Sequence, residues 1–97
     1  MHKNYFEAII QVRPFKEEVL DFIRNQVKKS EKDFISKEVK LKEGVDVYVS
    51  SRKLGVQIAR KLKRSFKGEV KVTKSIYGYN RAKSKHIHRL TILFRLE

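Results

Sequence analysis

The organisation of the chain follows from residues 45–68, which read VDVYVSSRKLGVQIARKLKRSFKG. In the first five residues valine alternates with Asp46 and Tyr48, and a period of two is typical of a strand with one buried face. Ser50 and Ser51 then supply the side-chain oxygen with which helices commonly begin. The stretch therefore predicts a strand followed directly by a helix, at about 51–67.

This predicted second helix carries one apolar stripe. Leu54, Ile58, Leu62 and Phe66 recur every four residues, with Ala59 beside them, as on a helix that packs against a core. Gly68 predicts where the helix ends, because glycine readily adopts the left-handed conformation that terminates helices.

Upstream, residues 5–13 read YFEAIIQVR and predict a strand, with Phe6, Ala8, Ile10 and Val12 on its inner side. Pro14 suits the first turn of a helix, which is predicted at roughly 15–30. The apolar residues of that helix are Phe15, Val19, Phe22, Ile23 and Val27. Its other face mixes acids early with bases late and is expected to be ordinary solvated surface. Residues 31–45 are irregular, and Phe34, Ile35, Val39 and Leu41 allow a turn and a short strand before Gly44.

Downstream, residues 69–79 and 89–96 alternate as strands, and their short polar connection predicts an antiparallel hairpin with a basic tip. The order β-α-(β)-β-α-β-β predicts one α+β domain over 1–97, a two-layer sandwich. Its mainly antiparallel sheet would have four to five strands and carry both helices on one face. The predicted core comprises Phe6, Ala8, Ile10, Phe22, Ile23, Val45, Val47, Val49, Leu54, Ile58, Leu62 and Phe66. Strand order is not predicted.

Composition limits the class of protein. The chain has 97 residues, 40% of them hydrophobic, and no cysteine. A single domain with one modest core is expected, without disulfides or thiolate zinc sites. No apolar run approaches the ~18 residues of a membrane span. We expect a monomeric cytoplasmic protein with no membrane association and no cofactor.

The net charge of +13 is concentrated in the second half of the chain. Residues 1–49 hold ten basic and nine acidic residues, whereas residues 50–97 hold fourteen basic residues and two acids, Glu69 and Glu97. Charge of one sign gathered in one place favours a surface that meets a polyanion. Nucleic acid is the first candidate.

The second helix carries most of the candidate binding residues. No acid lies between Asp46 and Glu69, so this helix lacks the acid–base pairs typical of a merely solvated helix face. The candidates are Arg52, Lys53, Arg60, Lys61, Lys63, Arg64 and Lys67. A basic surface without any partner remains the alternative.

The helix start gives a second candidate, because helix N-termini prefer anions and this one begins with two hydroxyls and two cations. A phosphate there would be held by backbone N–H groups with Ser50, Ser51, Arg52 and Lys53. A plain serine cap followed by two solvated cations is the alternative.

The hairpin tip mixes aromatic and basic residues. Tyr77 and Tyr79 are candidates for stacking on RNA bases, and Arg81, Lys83 and Lys85 for phosphate contacts. Alternatively, the tyrosines are only cross-strand partners. His86 and His88 share one strand face, but no third zinc ligand is evident, so we predict no metal site and expect both near the RNA.

Nothing in the sequence supports an enzyme. It contains no glycine-rich phosphate loop and no nucleophile motif, and its acids are scattered among bases in the first half. We predict a non-catalytic domain.

Three stretches carry a resemblance to a known family: residues 5–13, residues 44–53 (GVDVYVSSRK) and residues 68–72 (GEVKV). Here the chain resembles the archaeal and eukaryotic large-ribosomal-subunit export adaptor, the family of nonsense-mediated mRNA decay protein three. The likeness extends from about residue 4 to 96. That family begins with a zinc-binding module of paired cysteines, which this chain lacks, so the sequence fits either a stand-alone version or one domain of a longer protein.

The resemblance implies binding to the large ribosomal subunit for its maturation and, in eukaryotes, its nuclear export. An archaeal member has no nucleus, so for it the resemblance implies a role in subunit maturation or in translation. Together with the charge pattern, it predicts a domain that binds RNA of the large subunit, with ribosomal proteins as further partners. Two rivals stay open. One is a protein-interaction module whose basic face docks an acidic partner, and the other is a ribonuclease or RNA-modifying enzyme.

Overall fold

The computed structural model describes residues 5–80 and 85–97. The elements, in chain order, are β1 (Ala8–Arg13), α1 (Glu17–Lys29), β2 (Ile35–Lys40), β3 (Val45–Val49), α2 (Arg52–Ser65), β4 (Gly68–Asn80) and β5 (Lys85–Leu96). This order is the predicted one, and it includes the short strand before Gly44. None of the helices in the described ranges is long and apolar enough to cross a membrane.

One five-stranded sheet has the order β2-β3-β1-β5-β4. β1 lies at its centre and pairs antiparallel with β3 and parallel with β5. The remaining two pairs are antiparallel, which confirms an α+β fold with a mainly antiparallel sheet. The last strand, β5, therefore lies between β1 and its own hairpin partner, β4.

The core lies between one face of the sheet and both helices. Across the three central strands Ile10 is paired with Val47 on one side and Ile92 on the other, and all three are fully buried. From the helices, Val19, Ile23, Ile58 and Leu62 are fully buried against this face. The predicted core is thus confirmed for both helices and for the valines of β3, while Phe22 and Phe66 are partly buried at its margin.

Phe6 does not belong to this core. Its ring packs edge-to-face against Tyr48, with the ring centroids 4.8 Å apart, on the opposite face of the sheet. The chain bends at Glu7, and the regular alternation of inward and outward side chains begins only at Ala8. Extending that alternation back to Phe6 was therefore wrong.

The ends of both helices differ from the prediction. The first begins at Glu17, so Pro14 precedes it instead of occupying its first turn. The second ends at Ser65, and its C-cap Phe66 is extended. None of the glycines in the described ranges has a positive φ, so the predicted left-handed stop at Gly68 is wrong. Gly68 instead opens β4, where a Cβ would lie 2.4 Å from the backbone oxygen of Arg95.

The β4–β5 hairpin extends beyond the rest of the sheet. β5 pairs with β1 only from Leu90 to Arg95, whereas its pairing with β4 continues to Asn80 and Lys85. Residues 75–80 and 85–89 therefore form a two-stranded arm. The predicted antiparallel hairpin is confirmed.

Candidate nucleic-acid interface

α2 presents a continuous polar stripe away from the sheet. Its buried residues, Leu54, Gly55, Ile58, Ala59 and Leu62, occupy one side. The residues opposite follow each other three or four positions apart, and all are exposed: Lys53, Gln57, Arg60 and Arg64. Lys67, also exposed, lies two residues beyond the end of the helix, after the extended C-cap Phe66. We call these four residues together with Lys67 the α2 outer face. Gln57 was not among the candidates, although the same helical spacing identifies it.

In the part of the chain that the structure describes, the cations of the α2 outer face have no acidic partner. Within residues 5–80 and 85–97, no carboxylate lies within 4.0 Å of the charged groups of Lys53, Arg60, Arg64 or Lys67. On α1 the situation differs, because Arg24 pairs with both Asp21 and Glu38. Among the described residues, the positive charge of the α2 outer face is therefore not neutralised by an ion pair.

Lys61 lies at the edge of this face and has a structural partner. Its Nζ donates a hydrogen bond to Oε1 of Gln26, 2.9 Å away on α1. Gln26 is buried, so this bond supplies a donor to its side-chain oxygen between the two helices. Lys63, at the opposite edge, is exposed.

At the start of α2, the two serines have separate structural roles. Ser50 is buried; its hydroxyl accepts from the backbone N–H of Phe34 and donates to Oδ1 of Asp33, both at 3.0 Å. The hydroxyl of Ser51 accepts from the N–H of Leu54 at 3.2 Å and caps the helix. The predicted N-cap is confirmed at Ser51, while Ser50 fastens the chain between α1 and β2 to the end of β3.

The helix start already holds an anion. A carboxylate oxygen of Glu7, just before β1, accepts a hydrogen bond from the N–H of Arg52 at 3.0 Å and lies 3.7 Å from Nε of the same residue. Tyr5 donates its hydroxyl to this carboxylate. Partial burial raises the pKa of Tyr5, and the hydrogen bond to Glu7 raises it further. The start of α2, where the sequence suggested a bound phosphate, is therefore occupied by a carboxylate of the protein itself.

Arg52 is also fixed from its other end, because its Nη1 donates to the backbone oxygen of His88 at 3.2 Å. It therefore links the helix start to β5. Lys53, one residue later, is exposed and has no such link in the described part of the chain.

The hairpin candidates are only partly described. Tyr77 and Tyr79 fall in β4 and Lys85 in β5, while Arg81 and Lys83 lie outside the described residues. Two further exposed lysines, Lys71 and Lys74, lie on β4 before the arm and were not among the candidates. The strand alternation places them on opposite faces of the hairpin.

A shallow cleft lies where α2 ends. Its lining combines three of the candidate cations with the aromatic C-cap: Lys63, Arg64, Ser65, Phe66, Lys67, Gly68 and Glu97. Over the described ranges no three potential metal-ligating side chains come together.

A family model described as the second domain of NMD3 matches residues 5–96 of the chain. The match includes every described strand and helix. A sequence comparison with curated proteins gives no match.

Proposed function

The chain belongs to the NMD3 family, and from that membership and the charge of α2 we propose that it is a non-catalytic domain that binds RNA of the large ribosomal subunit. It serves either the maturation of that subunit or translation, in the cytoplasm. It acts as a monomer, with ribosomal proteins as further partners. The α2 outer face is the primary contact surface.

The observation that carries this proposal is the uncompensated charge of the α2 outer face. Lys53, Arg60 and Arg64 project from a rigid helix that is packed on the sheet through fully buried Ile58 and Leu62. Cations held at fixed spacing without acidic neighbours favour contact with a polyanion, since binding releases its condensed counterions. The same helix face would repel other cationic surfaces.

This surface suits the RNA backbone better than the bases. Lys and Arg contact phosphates, whereas base reading relies on a denser set of amides and aromatic residues. Gln57 is the one amide side chain on the α2 outer face. We therefore propose that affinity here exceeds sequence specificity.

The structure narrows the set of residues that we propose for phosphate contacts. Ser50 and Ser51 use their hydroxyls within the fold, and Arg52 is held between Glu7 and His88. Lys61 is engaged with Gln26. Within the described ranges, five of the candidate cations have side chains without a hydrogen bond or ion pair, and these form the core of the proposed site: Lys53, Arg60, Lys63, Arg64 and Lys67.

The test is a double charge reversal, Arg60→Glu with Arg64→Glu, measured by fluorescence anisotropy with a labelled single-stranded ribosomal RNA segment. We expect weaker binding for all RNA sequences. The log–log salt slope should flatten by about 1.4, from ~0.7 for each of two lost phosphate contacts. The matched control reverses Lys16 and Lys28, two exposed cations of the nearly neutral half.

Three outcomes would contradict the proposal. Equal weakening by the control pair would mean that net charge, and not this face, governs binding. Binding to an acidic peptide with the same affinity as to RNA would favour the protein-docking rival. Cleavage or modification of labelled ribosomal RNA during incubation would favour the enzyme rival.

A further inference from the structure

No described helix or strand covers the face of the sheet opposite the two helices. Strand register places Ile9 at its centre, flanked by Tyr48 on β3 and Thr91 on β5. These three side chains are partly exposed, as is Leu93 beside them. We call this surface, with the residues around Phe6 at one end, the open sheet face.

Two cations lie against the aromatic pair of this face. Nζ of Lys37 is 4.4 Å from the centroid of the Tyr48 ring, and Cζ of Arg89 is 3.8 Å from the centroid of the Phe6 ring. Because the two rings also contact each other edge-to-face, the four side chains form one cluster. Such cation–π contacts hold positive charge close to an apolar surface.

The charge of the open sheet face indicates what kind of partner it fits. Arg13 and Asp46 neutralise each other through an ion pair of 2.6 Å. Among the residues whose side chains the structure describes, the other charges that register places on this face are Lys37, Lys71, Arg89 and Arg95, with Glu69 as the one acid. Protein–protein interfaces are depleted of lysine, and two of these four cations are lysines. A surface that mixes rings, aliphatic groups and cations is better matched to a polyanion with apolar faces.

We infer that the open sheet face binds single-stranded RNA, as a second surface beside α2. Bases would pack against the rings of Phe6 and Tyr48, in place of the cations that lie over them, and on the aliphatic centre at Ile9, with phosphates near Lys37 and Lys71. A single strand is required because only unpaired bases can turn their faces to protein rings, and aromatic residues on an open sheet bind RNA in this way. The inference rests on the proposed function in taking RNA as the ligand.

The first test places a fluorescent reporter in the cluster. The chain has no tryptophan, so Phe6→Trp gives a single signal at this position. We expect a uridine 12-mer to quench it, and an abasic 12-mer of the same charge to bind without quenching. The abasic strand still reaches the α2 outer face, which needs only phosphates. Absence of quenching by the uridine strand at saturation would overturn the inference.

The same reporter separates this inference from the proposed function. In the background of Arg60→Glu with Arg64→Glu, quenching should persist, shifted to higher RNA concentration. If that background leaves all RNA affinities unchanged while quenching persists, the α2 proposal fails and the inference stands. If it abolishes quenching even at saturating RNA, the inference fails and the α2 proposal stands.

A second test uses substitution within the face. Tyr48→Leu combined with Lys37→Gln keeps an apolar side chain on β3 and removes both ring and charge. We expect affinity for single-stranded RNA to fall by about fivefold or more, since stacking of one base contributes at least that factor to the affinity. Affinity for a 12-base-pair duplex should change less than twofold.

The matched control is Lys40→Gln, because Lys40 lies on the same strand as Lys37 but on the other face, with its Nζ 5.2 Å from the ring centroid of Phe15. It should leave both RNA affinities within twofold of the unmodified protein. Equal losses for single-stranded and duplex RNA in the Tyr48→Leu, Lys37→Gln variant would overturn the inference, whatever its thermal stability.

Discussion

Glu7 caps the helix that carries the candidate RNA site: its carboxylate accepts a hydrogen bond from the backbone N–H of Arg52 at 3.0 Å. The two residues are 45 positions apart in the sequence. A carboxylate at a helix N-terminus satisfies an otherwise unpaired donor and opposes the positive end of the helix dipole. The start of α2 is therefore anchored by the segment that leads into β1.

Replacing Glu7 should have opposite effects on stability and on RNA binding. Glu7→Ala removes the acceptor of the Arg52 N–H and should cost about 0.5–2 kcal/mol of unfolding free energy, as losing a helix cap does. It also removes an anion beside Arg52 and should increase RNA affinity. Thermal melts and anisotropy check the two effects. The control is Glu43→Ala, an exposed acid; a similar loss of stability there would contradict the capping role.

Leu62 is fully buried beneath α2 and should be among the most sensitive core positions. Leu62→Ala leaves a cavity and should cost about 2–5 kcal/mol, a large share of a domain's stability. Val72→Ala, at a position that is 48% exposed on β4, should cost far less. Urea unfolding measures both values. An unchanged Leu62→Ala midpoint would contradict this placement of the core.

Gly55 lets α2 lie close to β1, because a Cβ there would be 2.8 Å from the Cβ of Ala8. Alanine would gain up to about 1 kcal/mol of helix propensity, but overpacking against a rigid strand costs about 1–3 kcal/mol. We expect Gly55→Ala to reduce stability in the unmodified protein and to do so less in an Ala8→Gly background. Equal losses in both backgrounds, measured by urea unfolding, would exclude this contact as the cause.

The ion pair between α1 and β2 should make stability depend on pH. Nε of Arg24 donates to Oε2 of Glu38 at 2.8 Å, and this hydrogen bond lowers the pKa of Glu38 from its ordinary 4.5. Because its pKa is lower in the folded protein, the Glu38 carboxylate stabilises the folded state at pH values above 4.5. This contribution is lost as the pH falls through the pKa of Glu38 in the folded protein. Glu38→Gln should therefore lower the melting temperature at pH 7.

The difference between Glu38→Gln and the unmodified protein should shrink as the pH is lowered below 4.5, the ordinary pKa of this carboxyl group. Glu31→Gln is the control, since this exposed acid makes no ion pair within the described ranges. A pH-independent difference for Glu38→Gln would show that the amide is disfavoured for a reason other than charge.

Periodicity was sufficient for the elements but not for their ends. Val45, Val47 and Val49 alternate and Leu54, Ile58 and Leu62 repeat every four residues, and all are buried as predicted. Local pattern reflects which side of an element faces apolar surroundings. It does not encode where tertiary contacts end an element. The predicted inward position of Phe6 and the predicted left-handed helix stop at Gly68 were therefore wrong.

The candidate site was likewise predictable in part. The absence of acids in α2 is a property of the sequence alone, and it identified the exposed cations. Which of them have internal partners was not predictable, because Gln26, Glu7 and the backbone of His88 reach Lys61 and Arg52 from distant positions. The open sheet face was not predicted either, since its residues come from five strands whose order was unknown.

By itself, the amino-acid sequence determined the type and order of the elements, most of the apolar faces that form the core, and the concentration of positive charge on α2. Only the tertiary structure decided that β5 lies parallel to β1, that Glu7 supplies the anion at the start of α2, and that Phe6 and Tyr48 meet on the open sheet face. The physical reason is one of range. Side-chain periodicity and helix capping act over a few neighbouring residues, whereas strand order and long-range ion pairs depend on how the completed elements share one core.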